Sequence, residues 1–439
     1  MSNLLKKNTV FLEKHPSFCI LPYIHLRMGI HQKAESCNVS SLCCSAAGCA
    51  NIPSNGSLND MLQHTEFKQE RQAFSNNSIP TSCENACSLN YKSVTKREIV
   101  NDLYINNISY EEVFNKPTIK LIDYNFGNEC NLSCRMCSST FSDQIGLLAS
   151  KETSSVENTS ELIKLGINDL RPDESLPENI KLLSSDNFIR KPSISDTESL
   201  KQVLPSLLEL QISGGEPFIS SDVEDILCTA IDNNDNQHIT LEVTTNGTKF
   251  IEEKLDIFLK FKKINFIVSV DGIGSTYNYI RHPFSYNILE KRLKDIVRYI
   301  IDNNLQEKVS FSFASVGILY NIYSYAELHK NLNIIFKDLY DSSGLNLITG
   351  VYGLGDNSHA LSWDNIPKNI LVDAFSSYDV TESAWYQNFK DYLNNRFHEP
   401  TKEDMQQTKK HTLLLDKLYN RSYEDYLHQS IVKYLNSID

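Results

Sequence analysis

Three cysteines, Cys130, Cys134 and Cys137, fall within the stretch FGNECNLSCRMCSS at positions 126–139. The spacing Cys-x3-Cys-x2-Cys sets three thiols on one short polar loop. Thiolates are soft ligands that suit iron–sulfur clusters and zinc. A structural zinc site takes four ligands, commonly as two close-spaced pairs. Here no His flanks the loop, and the nearest other cysteines, Cys87 and Cys228, are far away in the sequence. Three thiols leave one metal position unfilled. That fits a [4Fe–4S] cluster with one iron open to an exchangeable ligand.

The remaining thiols are not scattered. Of the 11 cysteines, Cys19, Cys37, Cys43, Cys44, Cys49, Cys83 and Cys87 crowd the first part of the chain, and Cys228 stands alone on an amphipathic helical stretch, where it reads as a small buried hydrophobe. The amino-terminal MSNLLKKNTVFLEKHP lacks the apolar run and small-residue cleavage site of a signal peptide. No apolar run approaches the roughly 20 residues that cross a bilayer. A cytoplasmic location is therefore expected, where thiols stay reduced and clustered cysteines are metal ligands or catalysts more often than disulfides. The formal charge of −13 argues against a broad nucleic-acid footprint and against attraction to an anionic membrane.

Elements that could position the loop follow from periodicity. TIKLIDYNF alternates like a strand and runs into the cysteines; LLELQIS ends at Gly214-Gly215-Glu216-Pro217, HITLEVTT at Asn246-Gly247, and INFIVSV at Asp271-Gly272. KVSFSFASV and the weaker LNLITGV complete six strands. Helical patterns lie between them at 197–204, 221–233, 250–261, 286–303 and 324–336. Strands alternating with helices imply parallel βαβ units with right-handed crossovers. Periodicity leaves an open doubly wound sheet and an incomplete barrel both standing. In either, sites form at the carboxyl edge of the strands, so the Cys loop, GGEP, TTNG and SVDG converge on one mouth. Each of the last three is also a common turn, and Asp271 alone reads as a cap for the turn that follows it.

The cysteine loop after the first strand, followed by GGEP after the second, resembles the radical S-adenosylmethionine (SAM) superfamily over residues 119–350. The resemblance implies a partial (β/α)6 barrel. It implies that Cys130, Cys134 and Cys137 ligate a [4Fe–4S] cluster, and that SAM chelates the open iron and is cleaved to methionine and a 5′-deoxyadenosyl radical. By the same resemblance Gly214, Gly215, Glu216 and Pro217 bind the SAM amino group. Asn246 and Thr245 reach the ribose, and Ser269 and Arg281 hold the methionine carboxylate. The position before the third cysteine, often aromatic in the family, is Met136, whose thioether can cover the adenine face. A further adenine contact is weakly marked near Val316 and Gly317.

FCILPYIHLRMGIHQKAESCNVSSLCCSA and TSCENACSLNYKSVTKRE resemble the amino-terminal part of radical SAM proteins with a SPASM-like twitch domain. This implies an auxiliary iron–sulfur cluster on Cys19, Cys43, Cys83 and Cys87, with Cys37, Cys44 and Cys49 as rivals for Cys43. A zinc-ribbon-like staple is the plain alternative. Three regions follow: an auxiliary-cluster domain over 1–115, a core over 116–355 with a polar insertion at about 151–194, and a helical extension over 356–439. The resemblance makes a peptide or protein the leading substrate, and an electron donor such as flavodoxin or ferredoxin the expected partner. The competing reading is a non-catalytic metal-binding scaffold that acts through its helical tail.

Overall fold

The computed structural model describes residues 3–30, 38–43, 50–51, 57–84, 87, 95–152, 191–192, 194–343, 348–353, 360–376, 390, 393–394 and 397–438. Nine strands form one sheet: β1 (His25–Ile30), β2 (Asn38–Ser41), β3 (Ala50–Asn51), β4 (Leu121–Asn125), β5 (Glu209–Ser213), β6 (Thr240–Thr245), β7 (Lys263–Ser269), β8 (Val309–Gly317) and β9 (Ile348–Gly353). Their spatial order is β3-β2-β1-β4-β5-β6-β7-β8-β9. From β4 to β9 each strand pairs parallel with the next, matching the six strands expected from alternation. No pairing joins β3 to β9 among the described residues, so the sheet is open.

The first three strands are an addition that periodicity did not reveal. β1 pairs parallel with β4, and β2 and β3 continue the sheet antiparallel. Residues expected to belong to the amino-terminal module are thus hydrogen-bonded into the core sheet. HLRMGI hides its alternation because Gly29 has no side chain to report a face. Arg27 on this strand pairs with Asp123 of β4 at 3.1 Å.

The two faces of the sheet differ in chemistry. One face presents Ile122, Tyr124, Leu210, Ile212, Leu241, Val243, Ile264, Phe266 and Phe311 to the helices between the strands, in the main core. Helix Ser221–Asp232 buries Val223, Ile226, Leu227 and Ala230, a 3.6-residue stripe started by the Ser220 cap, whose Oγ accepts from Val223 N–H. Helix Tyr286–Asp302 buries Leu289, Leu293, Ile296, Val297 and Ile300 in the same way. Each such aliphatic group contributes roughly 1.5–3 kcal/mol on full burial. The opposite face is polar. The registers align Arg27, Asp123, Gln211, Glu242, Asn265 and Ser310 in one row across six strands. A packed TIM barrel fills this position with branched aliphatics; here it can hold water or polar groups.

Carboxyl-terminal helices pack over the mouth. Lys402–Tyr419 opens with a capping box between Thr401 and Asp404, and it buries Thr408, His411, Thr412, Leu415, Asp416 and Tyr419 at alternating steps of three and one. The stretch KKHTLLLDKLYNRSYEDYLHQSIVKYLNS within the carboxyl-terminal extension has a helical pattern throughout. Asn420 interrupts it by adopting φ 51°, a left-handed conformation that suits Asn, and Gln429–Ser437 follows as a separate helix. The WYQNFKDYLNNRF segment and the polar insertion lie largely outside the described residues. Among the described residues no helix is long and apolar enough to cross a membrane.

Candidate active site

The loops after β4 and β5 are joined by main-chain hydrogen bonds. Gly215 N–H donates to Gly127 O and Glu216 N–H to Glu129 O, both at 2.8 Å, directly before the first loop cysteine. Gly215 is there because nothing larger fits: a Cβ on it would stand 2.1 Å from Glu129 O. Gly214 holds φ 143°, within the region that glycine tolerates, with its Cβ direction facing Gly127 O at 2.8 Å. The paired glycines thus bring GGEP against the cysteine loop.

Glu216 is 1% exposed. Its Oε1 accepts from Thr245 Oγ1 at 2.7 Å and Phe218 N at 3.2 Å, and Oε2 accepts from Asn246 N at 2.7 Å. Burial pushes its carboxyl pKa up, against the lowering effect of these three donors. The sequence reading aimed this carboxylate at a ligand; its bonds here run to the end of β6, so it locks that end in position. Pro217 follows, buried at the start of a 3-10 turn. Thr245 ends β6 with Asn246 directly after it, and Asn246 also reaches the cysteine loop. Its Nδ2 donates to Asn131 Oδ1 at 3.0 Å and lies 3.9 Å from Cys130 Sγ. Asn131 in turn donates to Thr248 Oγ1 at 2.7 Å.

From the β7 side comes Arg281, 8% exposed, with Nε 2.5 Å from Asp271 Oδ2. Asp271 is fully buried and also accepts from Ser315 Oγ at 3.2 Å and Val316 N at 2.7 Å, which fastens the ends of β7 and β8 together. Burial pulls the Arg281 pKa down, and Asp271, followed by Cys134, more than reverses it. Ser269, half-buried, ends β7. Met136, Val316 and Trp363 each pack, partly buried, against the carboxyl-terminal cluster. Trp363 lies so close to Gly317 that a Cβ there would stand 2.6 Å from the indole.

The three loop thiols share one environment. Burial, then Cys134, pushes Cys130 up to about 12; burial, then Cys134 and Cys130, pushes Cys137 well above its ordinary value. Burial raises Cys134 as well, with the Arg281 cation opposing it. Without a cation three adjacent buried thiols hold their protons, and a metal centre reverses that preference. The donor set fits an iron–sulfur cluster.

A second group lies in the amino-terminal region. Cys19, Cys43, Cys83 and Cys87 line one cavity with Pro22, Arg97 and Val100; its empty space, open mouth included, is about 430 Å³. Cys87 Sγ accepts the Arg97 N–H at 3.3 Å, and Cys87 N–H donates to Cys83 O at 3.0 Å across one turn. Burial pushes Cys19 up to about 12, with Cys83 and Cys87 adding to the rise. Cys37, Cys44 and Cys49 lie outside the described residues. Among the described residues no three His, Cys, Asp or Glu side chains crowd closely enough to chelate a single ion.

No family model matches the chain, and no curated protein matches it. Some solved structures are similar to the chain at low identity. The chain is 15% identical to anSMEcpe with bound AdoMet, over 69% of its own length and 65% of that chain, at a TM-score of 0.33. It is 14% identical to Streptococcus suis SuiB bound to S-adenosylmethionine, over 74% and 66%, at 0.28. Against SuiB bound to the precursor peptide SuiA the values are 14%, 76%, 68% and 0.29. The chain thus spans about 65% of the first of these proteins.

Several site residues escaped sequence reading. Asp271 read as a turn cap but is the buried partner of Arg281. Asn131 and Thr248 bridge two loops, and their only signal was adjacency to Cys130 and Asn246. Arg135, inside the cysteine loop, is 1% exposed. A charged residue flanked by candidate metal ligands was the cue available for it.

Proposed function

We propose that this chain is a radical SAM enzyme whose three-cysteine loop holds a [4Fe–4S] cluster and whose neighbouring loops hold SAM. One observation carries the reading: four strand ends, bearing the cysteines, GGEP, Thr245-Asn246 and the Asp271–Arg281 pair, interlock through named hydrogen bonds at one edge. Glu216 and Asp271 would serve a scaffold as well, but a structural metal site has no need of a buried guanidinium beside its thiols, and the Arg281 cation is close enough to Cys134 to act on it. When bound, the cluster and SAM supply one-electron cleavage of SAM and a 5′-deoxyadenosyl radical able to abstract a hydrogen atom from a substrate.

The chain's own residues do the placing. Arg281 is permanently charged, and with Nε committed to Asp271 its remaining edge suits a carboxylate such as that of methionine. Asn246 offers an amide within reach of Cys130, suited to a hydroxyl-bearing ribose. The main chain of Gly214 to Glu216 lies against the cysteine loop because no Cβ intervenes, and carbonyl oxygens of this stretch are the acceptors we assign to the SAM ammonium group. Met136, Val316 and Trp363, each resting on the apolar carboxyl-terminal cluster, would supply apolar surface for adenine and help keep water from the site. The four-cysteine cavity supports an auxiliary iron–sulfur cluster on Cys19, Cys43, Cys83 and Cys87. Below the mouth the polar sheet face suits a peptide segment as substrate. Flavodoxin or ferredoxin is the expected class of reductant, and the cytoplasm the expected compartment.

The test is anaerobic reconstitution with iron and sulfide, then SAM and a strong reductant. Release of 5′-deoxyadenosine, lost when Cys130, Cys134 and Cys137 are all changed to Ala, supports the proposal. Equal release by that variant overturns it. Zinc retained in the variant in place of iron would assign the amino-terminal cavity to a structural staple.

A further inference from the structure

Arg135 stands between two of the loop cysteines, yet its side chain points away from the strand ends into the carboxyl-terminal helices. Its Nη2 lies 2.8 Å from Asp416 Oδ1 on helix Lys402–Tyr419, with side-chain exposures of 0% and 9%. Nε donates to Tyr279 O at 2.9 Å, and the guanidinium carbon lies 3.5 Å from the Tyr279 ring centre and 4.9 Å from that of Tyr419. Asp416 is held in turn: Tyr279 Oη donates to Oδ1 at 2.8 Å and Tyr423 N–H to Oδ2 at 2.7 Å. Two further contacts join the same helix to the same loop. Tyr419 Oη donates to Ser133 O at 2.8 Å, and Cys137 packs against the cluster that Leu415 and Tyr419 of this helix form with Ile145.

A buried guanidinium that loses its carboxylate is strongly unfavourable, because nothing else in a low-dielectric site balances its charge. Removing the Asp416 charge with the helix in place would leave Arg135 in that condition, and undocking the helix to hydrate the guanidinium would relieve it. The loop and the helix are therefore energetically coupled, although 281 positions separate Arg135 from Asp416 in sequence.

We propose that Arg135 and Asp416 are positioning residues that hold helix Lys402–Tyr419 as the cover of the cysteine loop, so that metal retention there depends on charge compensation from the far end of the chain. The proposal rests on the cluster reading for Cys130, Cys134 and Cys137. It makes the carboxyl-terminal extension a wall of the metal site, where composition suggested only a helical appendage.

The experiment compares wild type, Asp416→Asn, and the double variant Arg135→Met with Asp416→Leu. Asp416→Asn keeps shape and removes the charge; the double variant removes both charges and keeps apolar volume. Two readouts are taken on full-length protein: backbone hydrogen exchange, and iron loss to a ferrous chelator after anaerobic reconstitution. Asp416→Asn should lose iron from the three-cysteine site at least tenfold faster. Its exchange should accelerate within 130–139 and 402–419 and stay unchanged in β5 to β8. The double variant should be slower than Asp416→Asn in both readouts, short of wild type by the cost of the Tyr279 Oη and Tyr423 N–H donors that Leu leaves unpaired. The proposal is overturned if Asp416→Asn behaves as wild type, if exchange rises evenly over all elements, or if the double variant is as fast as the single one. If wild type takes up no iron, the cluster reading fails, and the exchange arm still decides whether the charge pair holds the helix.

Discussion

Asp271 Oδ2 and Arg281 Nε lie 2.5 Å apart, both buried, and the same carboxylate takes the Val316 N–H from the neighbouring strand. One side chain thus orients the cation proposed for the SAM carboxylate and closes the gap between β7 and β8. Removing one partner of a buried pair costs about 3–5 kcal/mol, chiefly because the other charge is left uncompensated. Asp271→Asn should therefore lower the melting temperature and weaken SAM binding at least tenfold by equilibrium dialysis of the reconstituted protein. Unchanged SAM affinity in a folded Asp271→Asn protein would remove Arg281 from the cofactor site.

A second expectation separates the two glycines that meet backbone from one that meets nothing. At Gly215 an added methyl would stand 2.1 Å from Glu129 O, and main chain on both sides cannot step aside. At Gly274 the added Cβ has no neighbour within 4 Å, and the penalty is only that of φ 51°, about 1–2 kcal/mol for a non-glycine residue. Gly215→Ala should lose most iron uptake at the three-cysteine loop, while Gly274→Ala keeps it. Iron and sulfide analysis after reconstitution checks both. Full uptake by Gly215→Ala would mean that the contact between the GGEP and cysteine loops is dispensable.

How much of this was legible in sequence depends on whether the signal was local. The strands β4 to β9 were, because alternation is written into each, and the glycines at their ends marked where the chain turns. The loop cysteines were legible for the same reason. What was not legible is pairing across distance. Glu216 carries the same letters whether it faces a ligand or Thr245, and Asp271 looks like any turn aspartate until Arg281 folds back onto it. Asp416 has no local mark at all; its meaning comes from Arg135. β1 was missed because a strand joining an existing edge needs only a few residues, and Gly29 blurs them.

Glu216 shows how the geometry changes an expectation. Had its carboxylate faced only a ligand, Glu216→Gln would weaken SAM binding and leave the apo protein as stable as wild type. With Oε1 and Oε2 accepting from Thr245, Phe218 and Asn246, an amide NH2 must now face at least one of those donors. An unsatisfied buried donor costs about 1–3 kcal/mol. Glu216→Gln should melt at a lower temperature even without cofactor, as measured by calorimetry. A cofactor-free melting temperature equal to wild type would contradict the locking role.

The thiols give a chemical fingerprint of the metal-free state. With Cys19 and Cys130 pushed up to about 12 by burial, only about one part in ten thousand of either is thiolate at pH 8. Cys228, which the sequence reading took for a small buried hydrophobe, is instead exposed, on the side of its helix away from the buried stripe of Val223, Ile226, Leu227 and Ala230. In reduced, metal-free protein iodoacetamide should label Cys228 at least tenfold faster than Cys19 or Cys130, by peptide mass spectrometry. Loading with iron should then release protons to the solvent, because each ligating thiol must ionise. Equal labelling rates at Cys228 and Cys130 would show that the loop opens readily when empty.

His282 sets an acid limit on the same region. Its ring lies 4.8 Å from the Tyr419 ring, next to the loop residue Ser133, whose N–H donates to His282 O at 2.8 Å. Burial, then the Arg421 and Arg135 cations, lowers its pKa from the ordinary 6.5 to about 4. Between those values the unfolded chain binds a proton that the native protein does not. The neutral ring's contribution to stability is thus complete above pH 6.5, falls as the pH drops, and is gone once the native ring titrates near 4. The ring is only half-buried, so solvent screening reduces the size of the effect but leaves its direction. In metal-free protein the melting-temperature difference between wild type and His282→Asn should shrink steadily from pH 7 to pH 4. A difference that stays constant across that range would show that His282 titrates alike in the folded and unfolded chains, and that the covering helix leaves it open to solvent.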